Sequence, residues 1–284
     1  MAFTPLQKQR VLSRQTAPDL NIRGRAGETV QQQPPKNSTE SLAENFQQYF
    51  AAELSHTNEQ LLAVYKVRYR VYCEEFAYEP AQSFTDREEK DEFDGHSLHC
   101  LMTHRSSEQP AGCVRVVAPG NDQITPMEKY CMDSIDPAFH QYLYDDRERM
   151  CEFSRLAVDA AFRRRPGESV TRFGQEDALD VSRKEQRTFS LIAVAAFLGA
   201  FAISDITGRT NVFAMMEPFL PRLLRRSGIT VHRAGSDIDY HGTRAAYFAT
   251  TEEVLAGMNP ELKALYDAIH RRFAATYGKL PDLH

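Results

Sequence analysis

The sequence contains no tryptophan, and its five cysteines form no CxxC pair. Without such a pair, the chain lacks the common dithiol motif of redox proteins and the usual ligand spacing of structural zinc sites. His96 and His99 do not complete a zinc pattern either. We therefore expect no metal and no permanently bound cofactor. The cysteines are interpreted as reduced core thiols of a cytoplasmic protein. They are Cys73, Cys100, Cys113, Cys131 and Cys151.

A long hydrophobic run is also missing. The most apolar stretch, FSLIAVAAFLGAFAI at 189–203, is shorter than the roughly 20 residues that span a bilayer. We expect a buried helix here, with peripheral association with a membrane surface as the alternative. The N-terminus lacks the apolar core of a signal peptide, which favours a cytoplasmic location.

An excess of positive charge is absent. The net charge of -5 argues against a general nucleic-acid binder. With 284 residues, of which 42% are hydrophobic, the chain can bury a full core in one large domain. Residues 1–38 are rich in Gln and Pro and predict a disordered polar leader. We expect the main domain at 39–250 and a C-terminal helical extension at 251–284.

Helix and strand signals alternate along the chain. Ser41 with Glu44, and Thr57 with Gln60, form two capping boxes that predict helix starts. Short apolar segments predict strands, and longer periodic segments predict helices. The predicted strands are 97–104, 112–119, 151–159, 211–217, 229–235 and 244–251, and the later predicted helices are 188–204, 218–228 and 259–278. The order predicts an α/β fold with a central twisted mixed sheet and helices on both faces.

Seven polar side chains are embedded in otherwise apolar segments. They are Arg68, Tyr72, Asp91, Asp94, Arg115, Glu152 and Arg155, in YKVRYRVYCEEF, DEFDG, GCVRVV and CEFSRLAVD. A buried charge persists only when it is paired, so these residues form either a structural ion network or a functional site. Arg68 and Tyr72 are four residues apart and share a face of the predicted helix. Arg68 is expected to pair with Asp91 or Asp94.

The order of these motifs resembles that of the acyl-homoserine-lactone (autoinducer) synthases, a branch of the GNAT acyltransferase superfamily. The segments MMEPFLPRLLRRSGI and DYHGTRAAYF are closer to acyltransferases associated with PEP-CTERM/exosortase systems, which are relatives of the N-acyl amino acid synthases. The resemblance covers about residues 45–250. It implies a GNAT-like fold. It also implies transfer of a fatty acyl group from an acyl carrier protein (ACP) or coenzyme A (CoA) thioester to an amine, such as that of an amino acid.

The resemblance also implies roles for individual residues. Glu152, Arg68, Asp94, Arg115 and Arg155 are expected to be catalytic, and Tyr72, Tyr78 and Asp91 are expected to contact substrate. Tyr78 falls where the family has a site tryptophan, which this chain lacks.

Chemistry indicates what Glu152 and its neighbours would do. Acyl transfer to an amine needs a base for the amine proton and hydrogen-bond donors for the oxyanion. Glu152 lies within an apolar strand and is the candidate base. A regular strand would put Glu152 and Arg155 on opposite faces, whereas a β-bulge would redirect one of them and free a backbone N–H. We expect the oxyanion donor within 154–158, with Ser154, Leu156 and Val158 at the substrate.

The acyl donor is expected to meet a basic patch. Arg183, Lys184 and Arg187 precede the apolar helix and are predicted to bind the donor, since positive charge steers an acidic carrier protein. An ordinary solvated face is the alternative. Only RRRPGE (163–168) approximates a glycine-rich pyrophosphate loop, so the carrier protein is favoured over CoA as donor partner.

Two other functions remain open from the sequence. One is an acyl-homoserine-lactone synthase that uses S-adenosylmethionine as the acceptor. The other is a non-catalytic sensor that binds acyl thioesters. The products of a reaction with an amine would distinguish the three.

Overall fold

The computed structural model describes residues 41–163, 191–226 and 228–280. The predicted leader at 1–38 lies outside these ranges. So do the three predicted donor-binding residues, Arg183, Lys184 and Arg187.

Eight strands form one mixed sheet. In chain order they are β1 (Phe50–Ser55), β2 (Ser97–His104), β3 (Pro110–Val117), β4 (Met150–Val158), β5 (Asn211–Met216), β6 (His232–Arg233), β7 (Ile238–Asp239) and β8 (Thr243–Thr250). The strand order is β1-β2-β3-β4-β5-β8-β6, and β7 pairs with β8. β4 and β5 are parallel, whereas the other pairs of these strands are antiparallel. The strand predicted at 229–235 was too long, because only two of its residues pair with β8.

Helices cover both faces of the sheet, as predicted. They are α1 (Leu42–Tyr49), α2 (Asn58–Arg68), α3 (Pro126–Cys131), α4 (His140–Tyr144), α5 (Ala160–Arg163), α6 (Ile192–Ile206), α7 (Leu220–Arg226), α8 (Thr251–Gly257) and α9 (Pro260–Tyr277). Both predicted capping boxes are present, at Ser41 and at Thr57. A π-helical segment, Tyr69–Glu75, continues α2. None of the helices in the described ranges is long and apolar enough to cross a bilayer.

The apolar helix α6 forms the centre of the main core. It packs across β2, β3 and β4 and against α9. Its Gly199 approaches Cys100 so closely that an added Cβ would lie 2.5 Å from the Cys100 Sγ. The glycine therefore permits close packing of α6 on the sheet. Leu262, Leu265 and Phe273 of α9 belong to the same core, although they lie in the segment predicted as an extension.

The opposite face of the sheet carries two smaller apolar clusters. One joins α2 and the π-helical segment to Leu101, Cys113 and Ala157. The other joins α3 to Phe213 and Ala246. Because strand residues alternate between faces, α6 defines one side of the sheet and α2 with α3 defines the other.

The sheet opens between its two parallel strands. β4 and β5 pair from Met150↔Asn211 to Phe153↔Ala214. β5 then continues with β8 as far as Met216, while β4 stays paired with β3. The edge of β4 that faces β5 consequently has no strand partner beyond Phe153. Backbone N–H and C=O groups on such an edge are available to a ligand.

Candidate active site

A β-bulge lies in β4 beside this opening, as the sequence predicted. Cys113 pairs with Ala157 and Arg115 pairs with Ser154, so β4 contains one residue more than β3 between these pairs. Arg155 has a φ of 51°, in the left-handed region that a residue with a side chain enters only at a cost. The bulge turns Arg155 toward the face that also holds Glu152 and Ser154.

Arg68 is the deepest cation of the site. Its guanidinium is completely buried at the end of α2, and its Nε donates to Glu89 Oε2 at 2.5 Å. Both terminal nitrogens donate to Asp94, at 2.6 and 3.1 Å. Of the two predicted partners, Asp94 is therefore the direct one. Two parallel bonds of this kind fix the orientation of both groups.

Arg115 connects the same carboxylates to β4. Its Nη1 donates to Asp91 Oδ1 at 2.5 Å and to Asp94 Oδ1 at 3.1 Å. Its Nε donates to the Ser154 hydroxyl at 3.0 Å. The side chain is completely buried in the middle of β3. Arg115 thus links the Asp91–Asp94 segment to the bulge.

Arg155 completes the cluster from the bulge itself. Its Nη2 donates to Glu79 and to Glu89, both at 3.1 Å, and to Asp91 at 3.3 Å. Its guanidinium lies over the Tyr72 ring, 5.2 Å from the centroid. The Tyr72 hydroxyl donates to the Leu156 carbonyl at 3.1 Å, which ties the π-helical segment to the bulge.

Glu89 is the residue that sequence reasoning missed. It is 1% exposed and lies between Arg68 and Arg155. It falls in the run DREEKDEFD, a pattern that usually predicts a solvated surface. The only feature of the local sequence that could have indicated a place in the network was its position two residues before Asp91. Its backbone N–H donates to the Tyr65 carbonyl, and this contact draws the segment inward.

The paired charges shift one another's pKa values. Burial alone would raise the pKa of Asp94, but Arg68 and Arg115 outweigh it and hold that pKa well below its usual range. Burial and the same Arg68 lower the pKa of His99 to about 3, so this imidazole is neutral at physiological pH. Arg68 and Asp94 therefore stay charged, and His99 stays neutral, across the neutral pH range.

Glu152 lies outside this network. It is 2% exposed, on the same face of β4 as Ser154, and its Oε2 accepts from the Met127 N–H of α3 at 2.8 Å. Burial raises the pKa of Glu152 to about 7, and the Met127 bond opposes only part of that rise. A carboxyl with this pKa exchanges its proton near neutral pH, as a general base must. By contrast, neighbouring arginines hold the pKa values of Glu89 and Asp94 below their usual range.

The raised pKa of Glu152 has a consequence for stability. The folded state holds this proton more tightly than the unfolded chain, so folding loses stability as pH rises from about 5 through 7. Glu152→Gln is expected to unfold with a higher free energy than the wild type at pH 8, by about 1–3 kcal/mol, and with a smaller difference at pH 5. Urea titrations at both pH values measure this. A difference that does not change with pH would contradict the raised pKa, and Glu59→Gln at an exposed position is the control.

A cavity of about 520 Å³ occupies the opening between β4 and β5. It connects the two faces of the sheet. Its apolar wall, toward α6, includes Val114, Phe153, Val158, Phe197, Ala214 and Met216. Its polar wall, toward α2 and α3, includes Tyr72, Glu152, Ser154, Arg155 and Arg244. Tyr78 stacks on Phe76 at the same cavity, with 5.3 Å between ring centroids.

The predicted residues thus divide into three groups. Those of the ion network are Arg68, Asp91, Asp94, Arg115, Ser154 and Arg155, and those that line the cavity are Tyr72, Tyr78, Glu152, Ser154, Arg155, Leu156 and Val158. The donor residues lie outside the described ranges.

All five cysteines are buried, and burial raises the pKa of both Cys113 and Cys151 to about 12, so neither is a thiolate at neutral pH. Across residues 41–163, 191–226 and 228–280, no group of His, Cys, Asp and Glu side chains could hold a metal ion.

Comparisons with known proteins agree with this architecture. Residues 67–172 match the model of the acetyltransferase (GNAT) domain. The structure of TofI in a ternary complex with an inhibitor and MTA superposes with a TM-score of 0.51 and 18% identity, over 75% of this chain and 99% of TofI. BjaI, a CoA-dependent acyl-homoserine lactone synthase crystallised with MTA, gives 0.50 and 15%, over 78% of this chain and 89% of BjaI.

FeeM, an N-acyl amino acid synthase from uncultured soil microbes, gives a TM-score of 0.48 and 13% identity, over 76% of this chain and 97% of FeeM. No curated protein matches the sequence. At these identities the superpositions on TofI and BjaI establish a shared fold. The segment that matches the GNAT domain model contains the ion network and the bulge, and this match indicates an acyltransferase enzyme.

Proposed function

We propose that this protein is a cytoplasmic N-acyltransferase that moves a fatty acyl group from an acyl carrier protein or CoA thioester to the amine of a small acceptor, most simply an amino acid. The observation that carries the proposal is the cavity through the sheet. It joins an apolar wall to a polar wall and contains a buried carboxyl, that of Glu152, whose pKa is raised to about 7.

The apolar wall is suited to the acyl chain. Phe153, Phe197 and Met216 border it, and α6 begins beside it at Ile192. An acyl chain bound there brings its thioester carbonyl to the unpaired edge of β4. Backbone N–H groups of the bulge, at Arg155 or Leu156, would then donate to the oxyanion that develops on that carbonyl.

The polar wall is suited to the acceptor amine. Glu152 removes a proton from the ammonium form, and the neutral amine attacks the carbonyl carbon. The C–N bond forms, the C–S bond breaks, and the leaving thiolate takes up the second proton, which the attacking nitrogen loses as it becomes an amide. The ion network of Arg68, Arg115 and Arg155 holds the bulge and the Asp91–Asp94 segment in fixed positions during this step. No covalent intermediate with the enzyme is required.

Thiol release tests the proposal directly. Purified full-length protein is incubated with acyl-ACP or acyl-CoA of several chain lengths and a library of amines, and free thiol and product masses are measured. Amine-dependent thiol release with an N-acyl product is expected. Binding of the thioester without release in the presence of any amine would contradict the proposal and would support the sensor function instead.

A lactone synthase is the second candidate. The observation in its favour is the shared fold with TofI and BjaI, both crystallised with MTA. An acyl-homoserine-lactone synthase would use S-adenosylmethionine as its acceptor and release a lactone. The chain departs from that family at Tyr78, where the family has tryptophan, so we favour an amino acid acceptor in place of S-adenosylmethionine. Mass spectrometry of the reaction products distinguishes the two candidates, because one releases a lactone and the other an N-acyl amino acid.

The donor and the biological setting are part of the proposal. We favour an acyl carrier protein as donor, steered by Arg183, Lys184 and Arg187, and an association with exosortase systems. Both rest on the sequence alone. A comparison of kcat/KM for acyl-ACP and acyl-CoA at low and high salt tests the first, because steering by charge weakens as salt increases.

A further inference from the structure

Arg244 is a cation of the cavity that the proposed mechanism does not use. It lies near the start of β8, two residues before Ala246, whose side chain packs beside Phe213 on the α3 face. Alternation along the strand places Arg244 on that same face. It lines the cavity together with Glu152. Its side chain is 15% exposed.

The guanidinium of Arg244 is incompletely satisfied. Its Nε is buried and has no hydrogen-bond partner among the described residues. The nearest carboxylate, Glu217, lies 3.8 Å from Nη2, which is beyond hydrogen-bond distance, and is itself 41% exposed. The remaining contact is with the face of Tyr78, at 5.4 Å from the ring centroid. A buried N–H of a charged group without an acceptor is costly, so an anion in the cavity would be bound favourably.

The other arginines of the cavity are already engaged. Arg155 donates to three carboxylates, and Arg163 donates to the Val158 carbonyl and to Glu75. Arg244 therefore has the most capacity for a new anion among the cavity arginines in the described part of the chain. The face of the Arg244 guanidinium packs on the Tyr78 ring. The N–H groups along the edge of the guanidinium are therefore left to form paired hydrogen bonds with a carboxylate.

The positions of Arg244 and Glu152 suggest how an acceptor lies. Both side chains belong to the polar wall of one cavity. Both also lie close enough to Cys131 to influence the pKa of its thiol. An amino acid offers an amine to Glu152 and a carboxylate to a cation. We propose that Arg244 binds the carboxylate of the acyl acceptor and thereby selects amino acids over amines that lack a carboxylate. This inference rests on the proposed N-acyltransferase function.

Binding of a product analogue tests Arg244 without requiring turnover. Calorimetry with N-dodecanoylglycine and its methyl ester compares a carboxylate with a neutral group of similar size. The wild type is expected to prefer the acid by roughly 10- to 100-fold, the range for hydrogen bonds to a charged group. Arg244→Gln is expected to bind both equally, and Arg244→Lys to retain part of the preference. Equal binding of acid and ester by the wild type, or an undiminished preference in Arg244→Gln, overturns the inference.

A control and a second readout complete the experiment. Arg233→Gln, on neighbouring β6 and outside the cavity, is expected to keep the wild-type preference. In turnover, Arg244→Gln is expected to raise the KM for an amino acid by about tenfold or more, while the KM for its methyl ester stays unchanged. If the acid preference holds but no amine is acylated, the carboxylate site stands and the proposed function fails. Circular dichroism confirms that each variant is folded.

Discussion

Glu152→Gln is expected to lower the rate of acyl transfer by at least about tenfold, because loss of a general base typically costs a factor of about 10²–10⁴. The substitution removes the proton acceptor but keeps the size of the side chain. The amide oxygen can still accept from the Met127 N–H, so the local fold is preserved. The measurement is amine-dependent thiol release at a fixed donor concentration. Near-normal turnover would remove Glu152 from its role.

The pH profile distinguishes a base from a merely structural carboxyl. With a pKa of about 7, Glu152 is largely protonated at pH 6 and largely ionised at pH 8. The wild-type kcat is therefore expected to rise across this interval, and the residual activity of Glu152→Gln should not show that step. Glu128→Gln is the matched control. Glu128 belongs to α3 and its side chain is only 7% exposed, but it pairs with Arg147 and does not line the cavity.

Glu89→Ala is expected to lower the free energy of unfolding by about 3–5 kcal/mol, the cost of removing one partner from a buried ion pair. Arg68 would lose its Nε acceptor, and Arg155 would lose its closest carboxylate besides Glu79. Neither cation can reach water easily, since the two side chains are 0% and 11% exposed. Urea denaturation followed by circular dichroism measures the change.

Two further variants keep this experiment decisive. Glu89→Gln retains the size of the side chain and one acceptor oxygen, so it should fold and show an intermediate loss. Glu92→Ala removes an exposed carboxylate from the same segment, whose partner is Lys129, and should change stability little. If Glu89→Ala and Glu92→Ala cost the same, Glu89 is not the central anion of the network.

The sequence predicted the parts of this site that have local signals. Glu152 and Arg115 interrupt apolar strands, and a polar residue within such a strand is conspicuous. The bulge also had a local signal, since Glu152 and Arg155 are three residues apart and yet were expected at one site. In the structure both side chains lie on the same face of the sheet, because Arg155 adopts a left-handed φ at the bulge.

Features that depend on distant contacts could not be predicted in this way. Glu89 is buried only because arginines from α2 and β4 surround it, and its own neighbours are charged. Arg244 lies at the edge of a strand where an arginine is ordinary, and only the cavity makes it notable. The π-helical continuation of α2 likewise follows from tertiary packing, because local propensity does not separate it from an α-helix.

The short parallel pairing of β4 and β5 has a mechanical consequence. Four residue pairs form the seam that holds together two half-sheets, β1–β4 and β5 with β8, within the described chain. In the proposed function a fatty acyl chain binds in this gap, where it would contact both half-sheets and hold them together beyond the end of the seam. Amide hydrogen exchange in Ala214–Met216 should therefore slow when the acyl donor is bound, since local opening there would require the ligand to leave.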